Sequence, residues 1–316
     1  MIPISRPIKD HLIRLKYLLE IQIDQFIGKN DEAEDILAII MLDYCAEALL
    51  KTVLSASGGS MKPDAMFHET WDYVNDKIIK DPKFGIGISE LPYKTDILNQ
   101  RKVRNATQHA NLIPSHSQAI SSAAITRDFY VRVLADLAGE AYDALSLINL
   151  IKDKNAKALL EKAEDWHQKE NWTESICCNA EALDHIVTIA RWFYSSSLTS
   201  DINLTFMHSD ISQVQDHATK KVFENIQKVL ERIYETIGAQ VHDLLGSDKK
   251  AYLRYRKITP YIQRTINGKV HFNIRASGYS KEESEFMHDY VLANILRLEG
   301  YGIEDLPEGT IHHVES

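Results

Sequence analysis

Apolar residues recur at threes and fours along most of the chain, the spacing of helices with one buried face. Leu12, Leu15, Leu19, Ile23 and Phe26 predict a first helix. Arg6, Pro7 and His11 read as an entry segment ahead of it. Asn30-Asp31 then offers turn and cap chemistry, and Asp31, Glu32, Glu34 and Asp35 favour a new helix start. That second helix is predicted over about 33–54 and ends in the Ser/Gly loop 55–60. A third fits 66–79, and 96–109 reads as a short helical turn entering a polar segment. Residues 119–151 predict one long amphipathic helix with Phe129, Val133, Leu137, Ala141, Leu145 and Ile148 on one side.

The charged junction 152–155 predicts a boundary, giving a helical domain over 1–152 and a second over 153–316. The second begins with a helical pair, 156–168 and 172–195, turning at Glu170-Asn171. A long helix follows at 214–245. The period then changes. Alternating runs at 259–266 and 269–275 flank Asn267-Gly268, which predicts a hairpin with a two-residue turn. That turn pairs Arg264 with His271. Ser280 and Glu283 have capping-box spacing for a last helix ending before Gly300. The fold class is therefore mainly α: a helical bundle, then a second helical domain with one β-hairpin at about 258–275. The two halves also share an Asn-containing turn (Asn30, Asn171) before a long helix. A degenerate tandem copy and two unrelated helical hairpins both account for that.

Composition narrows the classes. With 316 residues, 44% hydrophobic and 26% charged, the chain is long enough and apolar enough for real cores. The 36 Lys plus Arg against 45 Asp plus Glu give −9, which excludes a polycation that coats nucleic acid, so any such contact is local. Cys45, Cys177 and Cys178 make no disulfide framework and no C-x-x-C metal pair. Cys45, in an apolar run, reads as a small buried hydrophobe. The stretch 36–50 is broken by Asp43 and Glu47 and is too short to span a bilayer. A reducing cytoplasm with no membrane is the expected location, and no cofactor motif is present.

The segment Arg101-Lys-Val-Arg-Asn-Ala-Thr-Gln-His109 carries the most chemistry. A permanent cation and a group titrating near neutral pH are what RNA cleavage needs. An imidazole moves the proton of a ribose 2′-hydroxyl or of the leaving 5′-oxygen. A guanidinium holds the scissile phosphate. The nucleophile is already tethered beside the phosphorus, so the reaction requires no metal. Spacing alone decides nothing, because Arg6–His11 and Arg264–His271 are similarly spaced. The context of Arg104 and His109 singles them out: Asn105 follows the Arg, and a long helix comes after.

A second candidate is the stretch 249–275. It holds eight cations (Lys249, Lys250, Arg254, Arg256, Lys257, Arg264, Lys269 and Arg275), no Asp or Glu, and interleaved Tyr252, Tyr255, Tyr261 and Phe272. Cations for phosphate and aromatics for bases suit an RNA surface, to which His271 adds a further contact. A solvated hairpin with inward-packed aromatics is the plain alternative.

An all-helical unit with Arg-Asn-x-x-x-His before its last long helix, and a helix carrying Asp43, Glu47 and Lys51, resembles the HEPN domain family over about residues 10–150. The resemblance implies a metal-independent endoribonuclease, a prokaryotic toxin or antiviral effector, acting as a homodimer whose two Arg/His sets face one cleft. By that likeness Arg104 binds phosphate, His109 is the acid or base, Asn105 positions them, Asp43 or Glu47 orients the Arg, and Lys102 adds a cation toward the RNA. A neutralising antitoxin or regulatory protein is the implied partner. The chain departs from toxins with a Tyr two residues past the His, since Asn111 stands there. The alternative is a non-catalytic scaffold that binds a protein or nucleotide, with Arg104 and His109 structural.

Overall fold

The computed structural model describes residues 1–60, 62, 65–199, 249–264 and 270–300; for 191–199, Lys249 and Arg264 only the backbone is described. The chain divides into two compact units, Met1–Leu150 and Ile151–Ser316. Both are helical, and the described residues form ten α-helices and one two-stranded antiparallel hairpin. The helix expected at 214–245 and the turn at Asn267-Gly268 lie outside the described residues.

In the first unit, α1 (Arg6–Tyr17) continues through a wide turn into α2 (Asp24–Gly28). Pro7 sits in the first turn of α1, where its missing amide costs nothing, so Arg6 and His11 are helical rather than an entry segment. Next come α3 (Glu32–Ala56), α4 (Phe67–Tyr73), α5 (Lys94–His109) and α6 (His116–Val133). Asp31 caps α3 by accepting from the Ala33 amide at 2.9 Å. Segment 96–109, expected as a short turn, is the greater part of a 16-residue helix.

The single helix expected over 119–151 is corrected. After α6 the helical path runs only to Ala138, and Gly139 takes φ 68°. A left-handed residue ends a helix, and glycine adopts it without a Cβ penalty. Tyr142–Ala144 and Leu147–Leu150 are separate short 3-10 turns. Apolar spacing persists across the break because these turns still bury Tyr142, Leu147 and Ile148.

The core of this unit gathers on α3, through Ile39, Leu42, Ala46, Leu49 and Val53. Trp71 of α4 stacks on Phe129 of α6 at 5.4 Å. Tyr130 donates its hydroxyl to the Leu12 carbonyl at 2.6 Å, tying α6 to α1. Cys45 is buried as expected, and burial pushes its thiol up to about 12, which leaves it unreactive.

The second unit packs α7 (Lys154–Gln168), α8 (Trp172–Thr199) and α10 (Lys281–Gly300) together, with α9 (Lys249–Ile258) against α10. Asp153 caps α7 through the Ala156 amide at 2.7 Å. A polar seam runs through the apolar packing. Ser284 Oγ donates to Ser175 Oγ at 3.0 Å and meets His167 Nδ1 at 3.0 Å. His288 Nδ1 meets Asn179 Oδ1 at 3.1 Å. Buried polar groups that satisfy one another cost little and fix helix register. Ser280 and Glu283 form the expected reciprocal cap of α10.

The hairpin register differs from the expected one. Strand β1 (Tyr261–Arg264) pairs with β2 (Val270–Asn273) so that Arg264 opposes Val270 and Gln263 opposes His271. Five residues separate Arg264 from Val270. A two-residue turn at 267–268 with matched pairing needs an even number there, so the Arg264–His271 pair is lost.

Candidate functional site

Helices α3 and α5 build the site together. On α5, Ile97, Gln100, Arg101, Arg104 and Thr107 form the inward stripe, spaced as one helix face. Ile97 is buried in the core, and Gln100 accepts from Thr126 of α6 at 3.0 Å, so the rotation of α5 is fixed. That rotation turns Arg101 and Arg104 toward α3.

Asp43 and Glu47 wait there, one turn apart on α3. Arg101 Nη1 donates to Asp43 at 3.0 and 3.2 Å and to Glu47 Oε2 at 3.1 Å. The Arg101 guanidinium also lies 4.6 Å from the Phe67 ring centroid. Arg104 Nε sits 3.4 Å from Asp43 Oδ2, a charge contact without hydrogen-bond geometry. Lys51 donates to Glu47 Oε1 at 2.7 Å. The result is an alternating ladder, Lys51–Glu47–Arg101–Asp43–Arg104, with three cations on two carboxylates.

The carboxylates respond to these surroundings. Asp43 is only 3% exposed, and burial raises its carboxyl despite the opposing pull of Arg101 and Arg104. Burial also raises Glu47, but hydrogen bonds from Lys51 and Arg101 outweigh it, so Glu47 lies below its ordinary value.

Arg104, Asn105 and His109 follow from the same rotation. Five residues along one helix turn a side chain about 140° and advance it about 7.5 Å, so Arg104 and His109 do not share a face. Asn105 spans the difference. Its Oδ1 accepts from Arg104 Nη1 at 2.9 Å. Asn105 and His109 are four residues apart, neighbours on one exposed stripe. The guanidinium lies between Asp43 and Asn105, and His109 is exposed one turn beyond Asn105. Lys102 is exposed nearby and donates to Asn99.

Two histidines outside that stretch matter. His116, in the first turn of α6, places Nδ1 3.0 and 3.2 Å from the two oxygens of buried Asp35 on α3. Sequence reading missed this pair because its members are 81 residues apart. His11 lines an open groove of about 400 Å³ between α1 and α3, together with Ile8, Tyr44, Glu47 and Lys51.

The second-unit cations divide. Lys250, Arg254 and Lys257 share one exposed stripe of α9, and Arg256 is exposed beside it. Arg254 lies over the Phe286 ring at 4.0 Å and donates to the Glu282 carbonyl. Lys249 begins α9, Arg264 ends β1, and Lys269 lies outside the described residues. His271 is exposed on β2. Arg275 is tied to Glu283 and stacks on Tyr279, so it is engaged within the fold. The aromatics split as well: Tyr255 is buried and stacked on Tyr290, whereas Tyr261 is exposed. His167, in contact with Ser284 and Trp172, belongs to the packed seam rather than the helix surface.

Among the described residues no helix is long and apolar enough to cross a membrane, and no His/Cys/Asp/Glu group has metal-binding geometry. Fold and site define a mainly helical, two-unit protein in which a guanidinium anchored on a buried carboxylate and an exposed imidazole lie on different faces of α5. No family model matches the chain, and neither a curated protein nor a solved structure matches it. The functional reading therefore rests on these residues.

Proposed function

We propose that the first unit is a HEPN-type endoribonuclease that cuts RNA by attack of a 2′-hydroxyl on the adjacent phosphate, without a metal. The observation that carries this reading is the anchored Arg104: Asp43 holds its Nε side, Asn105 holds Nη1, and His109 is exposed one turn beyond Asn105. Arg104 neutralises charge on the phosphate oxygens, and His109 transfers a proton. The bond from O2′ to phosphorus forms, the bond to O5′ breaks, and the products are a 2′,3′-cyclic phosphate and a 5′-hydroxyl. In the second unit, the exposed stripe of α9 is a separate contact surface for an RNA backbone.

The active form in this reading is a homodimer with two Arg/His sets in one cleft. Leu112 and Ile113 support it, being 46% and 55% exposed in the connection just beyond His109. Apolar side chains gathered beside a polar site favour cover by a second chain. A toxin or defence role with a neutralising protein partner belongs to the same reading. A second reading, a non-catalytic scaffold, draws on the Asp43–Arg104 contact, which also serves packing.

The test is RNA cleavage in EDTA by wild type, Arg104→Ala and His109→Ala proteins, each checked for folding by circular dichroism. Loss of cleavage in both variants, with cyclic-phosphate ends from wild type, supports the nuclease. Equal RNA survival with all three proteins rejects it and leaves the scaffold.

A further inference from the structure

A helix at the edge of a core needs one apolar stripe, but α3 carries two. The inner one, through Leu42, Ala46 and Leu49, is the core already described. Two residues along a helix turn a side chain about 200°, so Tyr44 points away from Leu42 and Ala46. Leu37, Ile40 and Met41 stand with Tyr44 at the spacing of neighbours on one face. Leu37 is 46% and Tyr44 54% exposed, and Ile40 and Met41 are half-buried.

This outer face has relief. On one side Asp43 and Glu47 hold Arg101 of α5. On the other, Ile8 and His11 of α1 stand across the groove of about 400 Å³ from Tyr44, Ala48 and Lys51. An exposed leucine thus marks one end of the face and an apolar-walled groove opens at the other. Seven residues separate Leu37 from Tyr44, about two turns or 10.5 Å along one side of α3. The charges are sorted by end as well. Asp31, Glu32 and Glu34 outnumber Lys29 at the start of α3, whereas the ladder that ends at Lys51 holds three cations on two carboxylates.

We propose that this face is a two-fold interface with a second copy of the chain. An axis crossing α3 between Ile40 and Met41 brings Leu37 of each copy to Tyr44 of the other, so each leucine enters the other's groove. A two-fold contact of this kind uses one self-complementary patch twice. The paired helices run antiparallel, and the Lys51 end of each copy meets the Asp31–Glu32 end of the other. Parallel pairing would instead set acid against acid and cation against cation. A stable interface buries about 800 Å² per partner, so the stripe is its centre and the flanking edges of α1 and α5 complete it. The inference rests on the nuclease reading for its purpose, since it names a surface for that homodimer, but pairing itself requires no cleavage.

The experiment is sedimentation of the full chain at micromolar concentration, joined to disulfide trapping. Wild type is expected at twice the chain mass of 36.1 kDa. Leu37→Glu is expected at the single mass with an unchanged circular dichroism spectrum. Lys51→Glu is expected to weaken the dimer at least tenfold, and adding Glu32→Lys to it to restore part of the loss. A Leu37→Cys, Tyr44→Cys protein is expected to form a disulfide-linked dimer on mild oxidation. The two positions cannot bridge within one helix, because a disulfide joins Cα atoms no more than about 7 Å apart. Cys45, Cys177 and Cys178 are buried and do not compete. A monomeric wild type overturns the interface, and so does a dimer that survives Leu37→Glu or is broken only by Leu112→Ser with Ile113→Ser. If Leu37→Glu unfolds, trapping decides alone: absence of the linked dimer overturns the proposal. A monomer that still cuts RNA removes the interface and leaves the nuclease, whereas a dimer that passes these tests and cuts nothing keeps the interface and rejects the nuclease.

Discussion

Arg101 and Arg104, three residues apart on α5, share one buried carboxylate: Arg101 Nη1 is 3.0 Å and Arg104 Nε 3.4 Å from Asp43 Oδ2. Their other contacts separate their roles. Arg101 Nη1 also bonds Glu47 and the guanidinium covers the Phe67 ring, so Arg101 engages three neighbours within the fold. Arg104 keeps one edge turned to Asn105 and the surface.

Substitution is expected to split the pair. Arg101→Ala removes hydrogen bonds from two carboxylates and a cation from an aromatic face, and should cost about 1–3 kcal/mol of stability. Arg104→Ala should cost less, about 1 kcal/mol, while abolishing cleavage, since Asp43 keeps its hydrogen bonds from Arg101. Urea denaturation of both variants, run beside the cleavage assay, checks this. A larger stability loss at Arg104 than at Arg101 would mean that Arg104 is primarily structural.

Asp153 sets a pH dependence in the second unit. Burial raises its carboxyl, but the His185 imidazole 3.2 Å away and the hydrogen bond from the Ala156 amide outweigh that, so it lies below its ordinary value of 3.8. A carboxyl with a lowered folded value stabilises the fold above its unfolded value and loses that contribution as pH falls through the folded one. Asp153→Ala should therefore cost about 1–2 kcal/mol at neutral pH, the worth of a helix cap. The difference from wild type should shrink in acid below 3.8. Denaturant titrations at neutral and strongly acidic pH read the two differences, and a constant difference would refute the assignment.

Gly139 should resist replacement. Its φ of 68° is left-handed, and a Cβ there would come within 3.1 Å of the flexible Met1 side chain. The side chain can yield, but the backbone conformation cannot, so Gly139→Ala should destabilise by about 1 kcal/mol. A neutral or stabilising result would show that the chain relaxes out of the left-handed region.

How much of this was legible follows from where the signals lie. Helices with one apolar face announce themselves by spacing, and α3, α7, α8 and α10 were readable in that way. Capping chemistry placed the starts at Asp31 and Ser280. The break at Gly139 was hidden because apolar positions from Phe129 to Ile148 keep a helical rhythm through turns that bury the same side. The hairpin existed in the alternation, but its register did not, because one additional loop residue shifts every pair. Within the site, Arg104, Asn105 and His109 stood out by type. Arg101 had a readable signal that went unused: two acids one turn apart on one helix, opposite two cations three apart on another. Asp35–His116 had none, since only the antiparallel packing of α3 and α5 and the path of the following loop bring those residues to the same end.

The cations of α9 make the most separable claim about RNA. Arg256 and Lys257 are exposed, whereas Arg254 is committed to Phe286 and Glu282. Each phosphate contact to single-stranded RNA adds roughly 0.7 to the slope of log affinity against log salt. Replacing both Arg256 and Lys257 by Gln should lower that slope by about 1.4 and weaken binding of all sequences alike, since phosphate contacts carry no base information. Arg254→Gln should instead lower stability through lost packing on Phe286. Binding of a labelled RNA by the catalytically silenced His109→Ala protein, titrated across salt concentrations, measures the slope without substrate loss. An unchanged slope in the double variant would remove α9 from the RNA path and confine recognition to the first unit.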